Sequence, residues 1–163
     1  MKSGFTLIEV VFAMFILSMS AFGAFALLES SLAPASLNRS SLTAYYLAQE
    51  GTELVRNIRD NNWLEDREGT VAWNEGLSVG IWETDYDSGA LAAYTGRYFY
   101  IDDDPRVLSY IDSPAGEEIT KYRRKITINE VSSEVIQVSV VVYWTERGTD
   151  HDVEIISQLT DWR

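Results

Sequence analysis

The sequence has 163 residues, a formal net charge of −12 at pH 7 and no cysteine. This length allows one domain with a modest core beyond an apolar N-terminal segment. The acidic balance argues against broad nucleic-acid binding, because an acidic surface repels a phosphate backbone. The lack of cysteine excludes disulfides, thiolate metal sites and cysteine nucleophiles.

A long apolar segment begins close to the N-terminus. Between Phe5 and Leu28 the polar side chains are those of Thr6, Glu9, Ser18 and Ser20. About 20 apolar residues are enough for a helix to cross a bilayer, so residues 5–28 are predicted to form a transmembrane helix. A carboxylate in such a segment costs about 2.5 to 3.5 kcal/mol near the bilayer centre, and Glu9 therefore indicates a function.

The start of this segment carries a specific motif, Gly4-Phe5-Thr6-Leu7-Ile8-Glu9-Val10. It resembles the processing site of type IV prepilins and of the pseudopilins of type II secretion. The resemblance implies that a prepilin peptidase cuts after Gly4, removes the leader 1–4 and leaves an amine on Phe5 that is methylated. It also implies that Glu9 pairs with the terminal amine of a neighbouring subunit during filament assembly. Motif and apolar segment together cover about the first 30 residues.

Two other interpretations of the N-terminus stay open at this point. A secretory signal peptide has an apolar core of about 7 to 15 residues and small residues before its cleavage site. Ala21-Phe22-Gly23-Ala24 imitates such a site, but the apolar segment is longer than a signal core. A plain single-pass anchor of an unrelated protein fits the length, but it leaves Glu9 in lipid without a partner.

A second, amphipathic helical segment follows the apolar one. Apolar and small residues recur on one face at Ala44, Ala48, Gly51, Val55 and Ile58, which is the spacing of a helix. The small residues would allow another backbone to approach closely. We predict one long helix over residues 5–62, with its end at Asn61 and Asn62 and a soft point at Gly23 or Pro34.

The remainder, residues 63–163, is predicted to be a globular antiparallel β domain. Three longer strands are predicted over residues 122–129, 135–145 and 152–161, with a hairpin connection over 146–150. Three shorter segments, over 70–74, 78–84 and 97–101, are predicted as strands or irregular connections. The predicted fold class is α+β, a pilin-like arrangement in which the antiparallel sheet packs on the amphipathic half of the long helix.

Two groups in the predicted β domain contain residue types that can act in catalysis or bind a metal ion. His151 lacks the serine or lysine partners of a catalytic base, so a residue at the surface of an edge strand is expected. Asp102, Asp103 and Asp104, together with Asp85 and Asp87, could bind Ca²⁺ through oxygen ligands. Their spacing matches no defined calcium loop, so a solvated acidic turn is expected and no metal or other cofactor is predicted.

One basic cluster stands out, formed by Lys121, Arg123, Arg124 and Lys125. In a strand, Arg124 falls on the same face as Tyr122, Ile126 and Ile128, while Arg123 and Lys125 fall on the other face. Because the overall field is negative, we expect this cluster to face acidic residues of a neighbouring strand or subunit rather than nucleic acid.

The resemblance implies a structural subunit, a minor pilin or pseudopilin, without enzymatic activity. The implied partners are other pilin subunits, the prepilin peptidase, an inner-membrane assembly platform and, before assembly, membrane lipid. The implied location is the inner membrane, with an extracytoplasmic head, and then a surface or periplasmic filament. Two alternatives stay open: a membrane-anchored adhesin or binding protein that never polymerises, and a competence pseudopilin that acts in DNA uptake.

Overall fold

The computed structural model describes residues 4, 6–65, 69–86, 88–101, 108–110 and 119–161. It contains one helix and seven strands in this order: α1 (Leu7–Glu65), β1 (Gly80–Glu83), β2 (Ala92–Ala93), β3 (Tyr100–Ile101), β4 (Leu108–Ser109), β5 (Tyr122–Ser132), β6 (Val135–Glu146) and β7 (Thr149–Thr160). The chain divides into two compact units, Met1–Ser40 and Ser41–Arg163. The predicted α+β class is confirmed.

The first unit contains the apolar part of α1, residues 7–28. Its large side chains are exposed on every side of the helix, from Leu7 (83%) to Leu28 (59%). The two serines in this part satisfy their hydroxyls within the helix, since Ser18 donates to the Met14 carbonyl at 2.8 Å and Ser20 to the Ile16 carbonyl at 2.9 Å. A helix that is apolar all round needs an apolar surrounding. Both Gly23 and Pro34 lie inside α1.

The helix ends later than predicted, at Glu65 rather than at Asn62. The helix continues past Asn62, and the Asn62 side chain bonds to the segment that follows. Its amide donates to the carbonyls of Trp73 at 3.1 Å and Glu75 at 2.8 Å. Asn62, which was predicted to end the helix, therefore connects the helix to the next turn by hydrogen bonds.

The second unit packs the amphipathic part of α1 on the sheet. Ala44, Ala48, Gly51 and Val55 are buried, as predicted, and Ile58 is partly buried. The helix and the sheet are close at Gly51, because a Cβ added there would lie 2.9 Å from Val140 Cγ1 of β6. The atoms nearest to this position are side-chain atoms of Arg124 and Val140, so the small residue at 51 makes room for side chains of the sheet.

The main sheet has five strands in the order β2-β1-β5-β6-β7, and β3 pairs with β4 in a separate two-stranded sheet. All these pairings are antiparallel. The face toward α1 carries the core, with the fully or nearly fully buried side chains of Ile126, Ile128, Ile136, Val138, Val140 and Val142. The three long predicted strands correspond to β5, β6 and β7.

Several boundaries differ from the predicted ones. The β6–β7 connection is only Arg147 and Gly148, because both have positive φ (53° and 77°) and form the tight turn that suits twisted antiparallel strands. The predicted segment 70–74 contains no strand, and the segments 78–84 and 97–101 contain β1 and β3. The short strands β2 and β4 were not predicted.

Candidate functional site

The start of α1 is the first candidate site, and it is a capping box. Thr6 precedes the helix, and its Oγ1 accepts a hydrogen bond from the Glu9 backbone N–H at 3.4 Å. In return, Glu9 Oε2 accepts from the Thr6 backbone N–H at 3.5 Å. This reciprocal arrangement satisfies two of the free N–H groups of a helix start. The helix macrodipole also favours a negative charge in the first turn.

Glu9 is the only charged residue between Leu7 and Leu28. Its side chain lies between two shallow apolar grooves on the helix surface. A groove of about 340 Å³ is lined by Glu9, Val10, Ala13, Met14 and Leu17. A second groove, of about 440 Å³, is lined by Ile8, Glu9, Phe12, Ala13 and Ile16. Ala13 lines both, one turn after Glu9, and a small residue there allows another helix to approach the carboxylate.

The predicted processing residues, Gly4 and Phe5, precede this capping box in the sequence. Gly4 precedes α1 and has no atom within 4 Å of the position that a Cβ would occupy. Phe5 lies outside the described residues. Sequence reasoning missed the role of Thr6, although Thr-x-x-Glu before an apolar segment is a known sequence signature of a helix start.

Arg124 is the centre of a second cluster, in the head, and it was grouped with the basic surface residues in the sequence. The structure buries it completely. Its guanidinium donates to the Leu47 carbonyl of α1 at 2.8 Å, to Glu50 Oε1 at 3.2 Å and to the Thr84 carbonyl beyond β1. A buried charge is tolerated only when it is paired and hydrogen-bonded. Arg124 therefore joins the helix to two parts of the β domain.

Aromatic rings continue this cluster away from the helix. The Arg124 guanidinium lies 4.9 Å from the centroid of the Phe99 ring, and Phe99 stacks on Tyr110 with ring centroids 4.5 Å apart. Arg97 in turn lies 4.9 Å from the Tyr110 centroid. Burial raises the pKa of Tyr110 to about 12, so its hydroxyl stays neutral and donates to the Arg124 carbonyl at 3.4 Å.

Glu83 forms the far end of the same cluster and was not singled out in the sequence. Its carboxylate accepts from Arg97 Nε at 2.6 Å, from Thr95 Oγ1 at 2.8 Å, and from the backbone N–H groups of Thr95 and Gly96 at 3.2 Å. Burial alone disfavours the charged form, but these hydrogen bonds outweigh it and lower the pKa of Glu83. Nothing in the local pattern distinguishes this acid from a surface one.

The other sequence candidates do not form a reactive site. His151 is partly exposed on the edge strand β7 and stacks on Trp144, with ring centroids 5.4 Å apart. Asp85 holds its own loop, since it accepts from the Ser88 backbone N–H at 3.0 Å and from that of Tyr110 at 3.2 Å. Asp87 and Asp102–Asp104 lie outside the described residues, and no metal-binding acidic cluster occurs among the rest.

The basic cluster is divided between different surroundings. Lys121 pairs with Glu146 of β6 at 2.8 Å, which confirms the expected contact with an acid of a neighbouring strand. Arg124 is buried, whereas Arg123 and Lys125 lie on the opposite face of β5, as the alternation predicted. The four cations therefore do not form one exposed patch.

Comparison with known proteins identifies the N-terminal segment. Residues 1–25 match the family model described as the prokaryotic N-terminal methylation motif. This is the prepilin-type motif of type IV pilins and pseudopilins, and the resemblance stated from the sequence is confirmed. No curated protein and no solved structure matches the chain.

The motif and the fold together define the class of the protein. A prepilin-type motif starts an apolar helix that is long enough to cross a membrane, with a mean hydropathy of 2.3 over its best window and no burial there. The later part of that helix packs on an antiparallel sheet. The N-terminal methylation motif supports a type IV pilin-like or pseudopilin-like protein, and the N-terminal helix fits a single-pass membrane anchor. Such a motif implies processing by a prepilin peptidase and assembly with other pilin subunits.

Proposed function

We propose that this protein is a minor pilin or pseudopilin, a structural subunit of a type IV pilus or of a type II secretion-like filament. The observation that carries the proposal is Glu9, the one charged residue in an otherwise apolar helix segment that begins with a prepilin-type motif. The protein catalyses no reaction in this proposal. Before assembly it is anchored in the inner membrane with its head outside the cytoplasm. An assembly platform then moves it into the filament.

Glu9 sets the register of assembly in this proposal. A helix that leaves lipid for a bundle of similar helices gains little hydrophobic free energy, so packing and polar contacts must select the correct position. Among the described residues, the hydrogen bond that the Glu9 carboxylate accepts from the Thr6 N–H is long, at 3.5 Å. An ammonium group would bind the carboxylate more strongly, because charge-assisted hydrogen bonds are shorter and stronger. The terminal amine of a neighbouring subunit, exposed by cleavage, is the proposed source.

The grooves beside Glu9 support the same step. The segment around Ala13 leaves room for a second helix next to the carboxylate. An unpaired carboxylate inside an apolar bundle is costly, so a subunit in the wrong position is rejected. The competence alternative has less support, since the head residues Lys121 and Arg124 are occupied by contacts within the chain.

N-terminal mass analysis of the protein from its native membrane tests the proposal. We expect the mature chain to begin with N-methyl-Phe5. A matched variant is Gly4→Leu, whose Cβ would meet no atom within 4 Å and which lies before α1, so we expect it to leave the fold unchanged while blocking cleavage. Wild-type protein that keeps Met1 in its native membrane would contradict the proposal and favour a plain membrane anchor.

A further inference from the structure

The face of the sheet that points away from α1 has an ordered arrangement of side chains, and we call it the outer face. Residues of β5, β6 and β7 lie beside one another there in four cross-strand rows. The rows are Arg123–Tyr143–Asp152, Lys125–Val141–Glu154, Thr127–Ser139–Ile156 and Asn129–Gln137–Gln158. Their neighbours Arg124, Ile126 and Ile128 point the other way and are fully buried.

The charges on the outer face lie on opposite sides of the central strand β6, with the cations on β5 and the anions on β7. Two rows begin with a cation on β5 and end with an anion on β7: Arg123 with Asp152, and Lys125 with Glu154. The residues of β6 between them, Tyr143 and Val141, are uncharged. In the other two rows no residue carries a charge, and the last row consists of three amide side chains.

Within the described part of the head, these cations and anions form no salt bridge with one another, although the charges of Lys125 and Glu154 attract each other at a longer distance. The guanidinium of Arg123 lies over the Tyr98 ring, 5.2 Å from its centroid, and Lys125 Nζ lies 5.3 Å from the centroid of Tyr143. Glu154 accepts a hydrogen bond from Ser139 Oγ at 2.5 Å. A cation on β5 and an anion on β7 are separated by two strand spacings, about 10 Å. Within the described part of the head, no ion pair joins the two sets.

We propose that the outer face binds the outer face of a second copy of this chain, with a two-fold axis along β6. A rotation about this axis places β5 of one copy over β7 of the other while the strands stay parallel. Lys125 then faces Glu154 of the second copy, Arg123 faces its Asp152, and each contact occurs twice, as in other isologous interfaces. If the strands of the two copies were antiparallel, these cations would not face these anions. We therefore favour the parallel arrangement.

The uncharged rows fit the same arrangement. Gln137 lies on the axis and faces its own copy, while Asn129 faces Gln158. Each amide offers donors and an acceptor, so facing amides can satisfy one another. Ile156, which is 56% exposed, would cover Thr127 of the other copy. In a chain with a net charge of −12, most surfaces of two copies repel. In these four rows the charges of the two cations and the two anions sum to zero.

The size of the face predicts a weak contact. Rows from residue 123 to residue 129 extend about 20 Å along the strands, and three strands extend about 10 Å across them, plus the width of the side chains. This is several hundred Å² per copy, below the roughly 800 Å² per partner of a stable complex. Copies anchored in one membrane have a high effective concentration, which allows such a contact to form. The contact requires neither cleavage after Gly4 nor filament assembly.

Crosslinking of the full chain in membranes without any assembly machinery tests the proposal. Because the chain has no cysteine, one introduced cysteine reports one position. Gln137→Cys on the axis should give a covalent dimer with a short bismaleimide crosslinker. The matched control is Gln49→Cys, an exposed glutamine of α1, which should give at least tenfold less dimer. Equal dimer yields from the two variants would overturn the proposal.

Charge reversal separates contacts between copies from contacts within one chain. In the Gln137→Cys background, Lys125→Glu alone places like charges opposite Glu154 of the second copy, and Glu154→Lys alone does the same with Lys125. Each single variant should lose most of its dimer. When the two variants carry different tags and are expressed together, the mixed dimer should return to the yield of the unreversed chain. Failure of the mixed dimer to return, or single variants that dimerise normally, would overturn the two-fold arrangement.

Discussion

Gly51 of α1 and Arg124 of β5 are in such close contact that a Cβ at position 51 would force the neighbouring side chains to shift. A Cβ there would lie 2.8 Å from Arg124 Cδ and 3.3 Å from its Nε. Glycine inside a helix usually costs about 0.5 to 1 kcal/mol relative to alanine, so this position loses helix stability to gain the contact. The helix lies close enough to β5 for Arg124 to reach the Leu47 carbonyl.

We therefore expect Gly51→Ala to destabilise the head by about 1 to 3 kcal/mol, the usual cost of overpacking a core. Arg124 cannot move aside without losing its buried hydrogen bonds. The matched control is Gly23→Ala, which meets nothing within 4 Å in the apolar part of α1 and should not affect unfolding of the head. Urea unfolding in detergent, followed by tryptophan fluorescence, measures both. A more stable Gly51→Ala variant would show that Arg124 and Val140 move easily.

Arg124→Met removes the donor that joins α1 to the segment after β1. The carbonyls of Leu47 and Thr84 then lose a buried partner. A buried polar group left without its partner costs about 1 to 3 kcal/mol, so we expect a loss of unfolding free energy of at least this size. Arg123→Met, one residue earlier and on the outer face, is the control and should cost about 0.5 to 1 kcal/mol through its contact with the Tyr98 ring. Similar losses from both would mean that the buried network contributes little.

The Glu83 carboxylate makes the stability of the head depend on pH. Its pKa is below the ordinary value of 4.5 in the folded chain, so the unfolded chain takes up the proton first as the pH falls. The contribution of Glu83 is therefore fully present above about pH 4.5 and is lost as the pH decreases through its folded pKa.

The matching experiment compares wild type with Glu83→Gln in denaturant unfolding at pH 7 and at pH 3.5. At pH 7 we expect the variant to be less stable by about 1.5 to 3 kcal/mol, the range for hydrogen bonds to a charged group. At pH 3.5 the difference should be smaller. A difference that is the same at both pH values would mean that Glu83 does not titrate in this range.

Glu9→Leu tests the assembly step separately from membrane insertion. The variant segment is more apolar, so insertion and cleavage after Gly4 should continue. The neighbour's ammonium would lose its partner, which costs about 3 to 5 kcal/mol when the charge is buried. That corresponds to a reduction in docking of about two to three orders of magnitude.

Co-expression with the assembly machinery, followed by quantification in membranes and in sheared filaments, measures this effect. Glu29→Leu is the control, because it makes the same substitution in the same helix after the apolar segment. Incorporation of Glu9→Leu at the level of Glu29→Leu would show that the position of Glu9 does not matter.

A chain that starts at Leu37 should be soluble and folded without detergent. It retains the whole second compact unit, Ser41–Arg163, and removes the exposed apolar side chains of residues 7–28. Circular dichroism and size-exclusion chromatography are the measurements, with the full chain as the comparison, which should need detergent. A shortened chain that aggregates or stays unfolded would show that the boundary of the independent domain lies elsewhere.

Local patterns in the sequence were sufficient to predict the N-terminal motif, the apolar segment and the faces of β5 and α1. The N-terminal motif depends on adjacent residues, and the apolar segment depends on length and composition, so neither needs the fold. The alternation in β5 placed Arg124 and Arg123 on opposite faces, and helical spacing placed Ala44, Ala48 and Gly51 on one buried face. Each of these signals is periodic over several residues, which makes it readable without the tertiary structure.

The tertiary structure decided which polar residues are buried. The alternation in β5 assigns Arg124 to one face of the sheet. Arg124 is buried there because α1 and the segment with the Thr84 carbonyl pack against that face and accept its hydrogen bonds. Glu83 is buried because residues 95–97, distant in sequence, fold back to donate hydrogen bonds to it. The two-residue strands β2 and β4 are too short to show a period of their own. Contacts between distant segments set these features, and a local pattern carries no information about such contacts.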